Sequence, residues 1–313
     1  MELNTMKLKY SAELVQDIKD KKELRTLDED FIIQKLDVFF VDKSHELNKK
    51  RFLDKLEKSK TYKQFTKSKE YKFLIKEIRA ELRRVYGVFI LEGYNKRESL
   101  LKELEEDASS EGRTEICTKL LNLHKSTKER MDHYEELYTT IFDTIGRLSD
   151  DKTDKNATDK KMTFMDLACG MNPISSIFFR EKIKKYYASD ISTEDCEFLK
   201  RYFDTTDIDA VLFPLDLVDE RNFPKLSKIK VDMCFIFKTL DGLERVKRDI
   251  TERLLQSIST GYFAITFPTL SIGGKREIKE HRRLWLERLL ERLKWRYEKF
   301  TLGSELLYIV KKG

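Results

Sequence analysis

The strongest constraint on this chain is the alternation in its second half. Short apolar runs stand at Thr163–Leu167, Lys185–Ser189, Ala210–Phe213, Val231–Ile236, Tyr262–Phe267, Tyr297–Leu302 and Glu305–Val310. Most are separated by stretches long enough for a helix, and strand–helix alternation predicts a parallel α/β sheet. Only Gly303 and Ser304 lie between the last two runs, which therefore predict an antiparallel hairpin, its final strand set against the parallel direction. The first hundred residues read differently. They contain no proline, and their apolar residues recur at helical spacing, as in Phe73, Leu74, Ile78, Leu82, Val85 and Phe89, with Lys76, Arg79, Arg83 and Arg84 on the outer face. Similar patterns cover 8–19, 28–40 and 45–56, which together predict a small helical bundle. An acidic cluster followed by Ser109-Ser110-Glu111-Gly112 reads as a helix end and a connection. A helix is predicted from Thr127 to Ile145, then a polar stretch over 149–161. The expected organisation is an all-α domain over 1–105, a connecting segment over 106–123 and an α/β domain over 124–313, in keeping with a length above that of one typical domain.

Charge is abundant but nearly balanced. The 62 Lys+Arg against 56 Asp+Glu leave +6, so most charges belong to solvated helix faces, and a basic patch matters more than the total. Cys117, Cys169, Cys196 and Cys234 stand far apart, with neither a C-x-x-C pair nor a histidine at ligand spacing. No zinc site and no disulfide framework is expected, and a reducing cytoplasm fits best. No run approaches the roughly 18 apolar residues of a membrane span, so a soluble protein is expected.

Ligands of open α/β sheets bind at the carboxyl ends of the strands, where the strand order reverses. The first strand there runs into Asp166-Leu167-Ala168-Cys169-Gly170-Met171-Asn172-Pro173, whose small residues allow close approach to the backbone. Asp190 ends the next strand twenty positions after Gly170, where a carboxylate accepts hydrogen bonds from the two hydroxyls of a ribose, with Ile191 beside it. After the third strand, Asp216 and Leu217 suit an adenine amino group and ring face. Each feature has a plainer reading: the glycine segment as an ordinary strand-to-helix turn, and Asp190 as a cap of the helix that starts near Ser192-Thr193-Glu194. A complete G-x-G-x-x-G is absent, which argues against a nicotinamide cofactor and favours S-adenosylmethionine. The terminal hairpin agrees, giving a Rossmann-like class I methyltransferase sheet as the expected fold.

Several ordered blocks resemble one family, the aminoglycoside-resistance methyltransferases that act on guanine N7 of small-subunit ribosomal RNA. His124-Lys125-Ser126-Thr127-Lys128-Glu129-Arg130, with Tyr138 and Phe142 after it, is similar to the family's H-x-S-T-x-E-R block, and Asp166 to Pro173 to its cofactor loop. Phe237-Lys238-Thr239-Leu240, Ile265 to Gly274, Leu284-Trp285 and Gly303 to Ile309 resemble later blocks, so the resemblance spans about 124–310. It extends less specifically to Leu27-Asp28-Glu29 and Arg79 to Gly87. The resemblance implies that Arg130 binds the carboxylate of the methionine part, with Ser126, Thr127, Ala168, Gly170, Asp190, Ile191, Asp216, Leu217 and Lys238 completing the cofactor site. It places Lys238 and Ser271 near the incoming base. Phe267 is a candidate support for an unstacked guanine, or else packs beneath the sheet. Arg79, Arg83, Arg84, Lys275 and Arg276 are the expected RNA contacts, with the small subunit and its 16S rRNA as partner and a monomer as the assembly. The chain departs from the family at Leu270, where a basic residue usually precedes the loop serine, and near Ile278-Lys279, which is one residue shorter. A different RNA acceptor, or an RNA-binding protein without catalysis, therefore stays open beside the guanine-N7 reading.

Overall fold

A computed structural model describes residues 9–21, 24–25, 27–41, 46–85, 89–106, 109–149, 160–270 and 277–313. The chain separates into two compact units, one of residues up to Ile90 together with Ile191–Glu194, the other of Leu91–Asp190 and Asp195–Gly313. The division falls at residue 90 rather than near 105. The segment expected as a connection instead carries a helix, Ser110–Leu121, capped by the Ser109 hydroxyl, which accepts from the Gly112 N–H at 3.1 Å. The preceding helix, Arg97–Glu106, is fixed by burial of Arg97, at 2% exposure, whose guanidinium pairs with buried Asp195 and lies 4.5 Å from the Tyr94 ring. A guanidinium is tolerated at that depth because its charge and its donors are both met.

The first unit is helical, as its periodicity predicts: Ser11–Lys19, Glu29–Val41, Glu46–Lys58, Tyr62–Phe65 and Lys69–Val85. Their apolar stripes close over Leu14, Ile18, Phe31, Leu36, Phe40, Phe52, Leu74, Ile78 and Leu82. Leu27 pairs with Ser192 in an isolated antiparallel bridge, and Ile191 packs on this core.

The second unit carries a seven-stranded sheet in the order β3-β2-β1-β4-β5-β7-β6. The strands are β1 Met162–Leu167, β2 Ile183–Asp190, β3 Ala210–Pro214, β4 Lys230–Phe237, β5 Ser259–Pro268, β6 Arg296–Leu302 and β7 Glu305–Lys311. The first five are parallel, and β7 runs antiparallel between β5 and β6. All seven correspond to the apolar runs, and this order is that of a class I methyltransferase sheet. It reverses between β1 and β4, which puts a crevice at the carboxyl ends of those strands. Regular helix gives way at two places beside this crevice. The helix expected over Thr127–Ile145 is a short turn Lys125–Lys128, a 3-10 turn Met131–His133 and then Tyr134–Leu148, with Arg130 at the break. The chain after Asn172-Pro173 is 3-10, Asn172–Lys182, kinked at Phe179.

The hairpin turn that joins β6 to β7 needs Gly303 on two counts. Its φ is +53°, and a Cβ there would stand 2.3 Å from the His133 ring. Gly303→Ala is expected to lower stability by roughly 2 kcal/mol or more, from left-handed strain plus a clash against a ring that must move. Thermal melting checks this, and an unchanged midpoint would show that the ring yields freely.

Candidate active site at the carboxyl ends of the strands

Past β1 the backbone twice turns left-handed, at Ala168 (φ +51°) and Gly170 (φ +49°). Between them the Cys169 N–H donates to Ser189 O at 3.0 Å, tying the loop to β2. The Gly170 N–H then donates to the Asp190 carboxylate at 2.8 Å, and Leu215 N donates to Asp190 O at 2.8 Å, so Asp190 joins the ends of three strands. A Cβ on Gly170 would lie 2.9 Å from the His124 ring, so close approach and conformation both demand glycine. Burial holds His124 well below its ordinary range, at about 4, an effect reinforced by Arg130 and Lys238 against the opposing pull of Asp195. The ring is therefore neutral near pH 7.

Arg130 is set by the turn that precedes it. The Thr127 hydroxyl donates to the backbone carbonyls of His124, at 2.9 Å, and Leu121, and the Arg130 N–H donates to Thr127 O at 3.1 Å. Thr127, at 1% exposure, thus spends its hydroxyl on positioning the turn. The Arg130 guanidinium, itself 3% exposed, donates through Nε and Nη2 to the two oxygens of Glu305 at 2.9 and 3.1 Å. Nη1 donates to Asn172 Oδ1 at 2.9 Å, and Nη2 also reaches Ser126 Oγ at 3.5 Å. Such a two-pronged pair is among the strong charged hydrogen bonds. Burial works against the Arg130 charge, but Glu305 overcomes it and raises the pKa above its ordinary value.

Lys238 follows β4 in a left-handed conformation (φ +56°), held by its N–H to Thr266 O at 2.9 Å. Its ammonium is 2.9 Å from both Glu305 and Glu129. Burial pushes the Glu305 carboxyl up, yet Arg130 and Lys238 together hold it below the ordinary carboxylate range.

Asn172 links this cluster to the strand. Its Oδ1 accepts from Arg130, and its Nδ2 donates to Asp166 Oδ2 at 2.8 Å, an oxygen that also accepts from the Tyr186 hydroxyl at 3.1 Å. The other Asp166 oxygen is buried with no hydrogen-bond partner among the described residues. Burial pushes Asp166 up to about 7, against the lowering effect of Asn172, Tyr186 and Arg130. A raised carboxyl pKa means that the folded state binds the proton more tightly, so this contribution to stability is full below the ordinary range and is lost as pH rises through about 7. Asp166→Asn is expected to flatten that dependence and to gain a few kcal/mol, in order of magnitude, over the wild type at pH 8 relative to pH 5. Chemical denaturation at both pH values measures the difference, and parallel pH profiles would disprove it.

Other expected site residues fall elsewhere. Asp216 is half-buried, and its Oδ1 accepts from Val218 N at 2.8 Å, while Leu217, 5% exposed, packs in the core under the sheet. Ile191 belongs to the helical unit's core, as described. Phe267 is 0% exposed, edge-on to Trp285 and Tyr308, with the Arg283 guanidinium 4.7 Å from its ring. It is a packing residue, and no face of it is open to an unstacked base. Ser271, Lys275 and Arg276 lie outside the described residues, as does the Arg84 side chain. The residues flanking that stretch pair across it, Leu270 bridging to Glu277, and Leu270 is 40% exposed. Arg79 turns inward, donating to the backbone of Asp17, whereas Arg83 is exposed. Sequence reasoning missed Asn172 and Glu305 as site residues. The available signal was a charged residue opening the otherwise apolar run Leu306–Val310. Among the described residues no group of acidic, histidine or cysteine side chains is placed to hold a metal, and no helix is long and apolar enough to cross a membrane.

Known proteins resemble this chain in sequence and in fold. A protein of Serratia marcescens named 16S rRNA (guanine(1405)-N(7))-methyltransferase is 30% identical over 196 residues, covering 62% of this chain and 70% of that protein. One of the same name from Frankia casuarinae is 24% identical over 244 residues, covering 76% and 80%. The crystal structure of the 16S rRNA methyltransferase RmtF in complex with S-adenosyl-L-homocysteine superposes with a TM-score of 0.68 at 20% identity over 100% of both chains, which shows a common fold. The family model described as ribosomal RNA methyltransferase (FmrO) matches residues 68–309, from the last helix of the first unit into β7. Matched over that length, the chain belongs to the FmrO family of ribosomal RNA methyltransferases.

Proposed function

We propose that the chain transfers the methyl group of S-adenosylmethionine to N7 of a guanine in the decoding region of 16S rRNA. The carrying observation is the buried set at the strand ends, in which Arg130 and Lys238 face the single carboxylate of Glu305 beside a glycine loop that is tied to Asp190. These donors fit the cofactor. The excess positive charge suits a carboxylate, Asp190 suits ribose hydroxyls, and the buried Asp166 oxygen without a partner suits an ammonium. When bound, S-adenosylmethionine supplies an electrophilic methyl on a sulfonium. Guanine N7 carries an in-plane lone pair, so no general base is required. The protein's task is then alignment, and binding energy supplies most of the rate.

Ser126 and Ala168 flank Arg130 and Gly170 in this reading, and Lys238 faces the boundary between cofactor and base. The helical unit supports RNA docking, because Lys69, Lys72, Lys76 and Arg83 are exposed on Lys69–Val85. Such phosphate contacts fix orientation and make binding salt-dependent. The enzyme acts as a monomer on small subunits, in the cytoplasm. Transfer of tritium from labelled S-adenosylmethionine to small subunits, naked 16S rRNA and tRNA tests the reading. Label is expected in small-subunit RNA. Label in tRNA alone would redirect the acceptor, as the exposed Leu270 would allow. Retained RNA binding with no label anywhere would make the chain a non-catalytic binder.

A further inference from the structure

Glu305 opens β7, paired in register with Pro268 of β5 and Leu302 of β6 at the end of the sheet where the crevice lies. It is 4% exposed, and the next five residues of its strand are buried and apolar. A carboxylate in such surroundings is costly unless its charge and lone pairs are met. Arg130 and Lys238 meet them, one from the turn before Met131–His133 and the other from the end of β4. Two cations against one buried carboxylate leave one positive charge in excess. Glu129 offsets it weakly, because its side chain is 40% exposed and screened by water. Glu305 takes two of the five N–H donors of Arg130 and Asn172 one, while Ser126, at 3.5 Å, and Tyr134 are its weaker partners. Two of the three Lys238 donors are met among the described residues, by Glu305 and Glu129.

We propose that Glu305 is a positioning residue for methyl transfer, holding the Arg130 fork and the Lys238 ammonium so that their excess charge meets the carboxylate of the cofactor's amino-acid part. This rests on the reading that Arg130 receives that carboxylate. Glu305 itself touches neither the methyl group nor the base. Without its charge, Arg130 loses both prongs of its fork and keeps Asn172 as its close partner, while Lys238 keeps Glu129.

A pair of ligands separates positioning from folding. S-adenosylhomocysteine carries the amino-acid part, whereas 5′-methylthioadenosine has the same nucleoside without it. Calorimetry on the full chain is expected to show a strong preference for S-adenosylhomocysteine. Glu305→Gln should cut that preference at least tenfold while 5′-methylthioadenosine binds within about twofold of wild type. Glu305→Asp, which keeps the charge, should recover part of it. An unchanged preference in Glu305→Gln would overturn the proposal, as would parallel loss of both ligands in both variants, which is the mark of a folding role. Arg130→Lys, which keeps the charge without the fork, tests the underlying reading separately. If it leaves the preference intact, the placement of the carboxylate at Arg130 fails, whatever Glu305 does.

Discussion

Arg130→Ala is expected to abolish methyl transfer, with a loss of at least a hundredfold in kcat/KM, and to destabilise the protein by about 3–5 kcal/mol. The two effects have one origin. Arg130 is 3% exposed, and its removal leaves the Glu305 carboxylate with Lys238 as its remaining cation among the described residues and strips Asn172 Oδ1 of its charged donor. Breaking a buried pair from one side exposes the full desolvation cost of the survivor, which is a large share of the roughly 5–15 kcal/mol that holds a typical protein folded. Denaturation and single-turnover transfer measured on the same preparation check both parts. A variant that melts like the wild type would mean that Glu305 is satisfied by Lys238 alone.

Asp190→Ala is expected to remove measurable binding of S-adenosylhomocysteine in calorimetry, a loss of about a hundredfold or more. Charged hydrogen bonds contribute roughly 1.5–3 kcal/mol each, and a ribose offers two hydroxyls. The substitution also leaves the Gly170 N–H without the acceptor that now stands 2.8 Å away, so the loop loses its tether to β2. Asp190→Asn keeps an acceptor for that N–H and is expected to fall between the two. Unchanged affinity in Asp190→Ala would remove Asp190 from the cofactor site and with it the assignment of the pocket.

The sheet was legible because its strands are short, apolar and spaced by helices, and because Gly303-Ser304 leaves room for nothing but a tight turn. That pattern gives the parallel direction and the terminal hairpin, while the strand order, which puts Gly170 and Asp190 at neighbouring strand ends, comes from the structure. The break at Arg130 was not legible. Helical periodicity runs through Thr127 to Ile145, and what interrupts it is tertiary: Thr127 donates to the carbonyls of His124 and Leu121 while Arg130 is drawn to Glu305, 175 residues away. Periodicity also cannot say which way a long side chain reaches: it puts Arg79 on the outer face, although Arg79 donates to the backbone of Asp17. Leu217 and Phe267 stand near strand ends in sequence but point into the core beneath the sheet. The role of Glu305 is invisible in the sequence, because its partners come from distant segments that only the fold brings together.

The position of the transferred methyl group tests the central claim most directly. N7-methylguanosine labilises its ring to reduction, so borohydride and aniline treatment of small-subunit RNA incubated with the purified chain and S-adenosylmethionine cuts the strand at the modified base. Cleavage at one guanine of the decoding region, absent without cofactor and absent with Asp190→Ala, is the expected result. Methyl incorporation without cleavage would show that the acceptor is not N7, and cleavage at a guanine outside the decoding region would show that it is not this guanine.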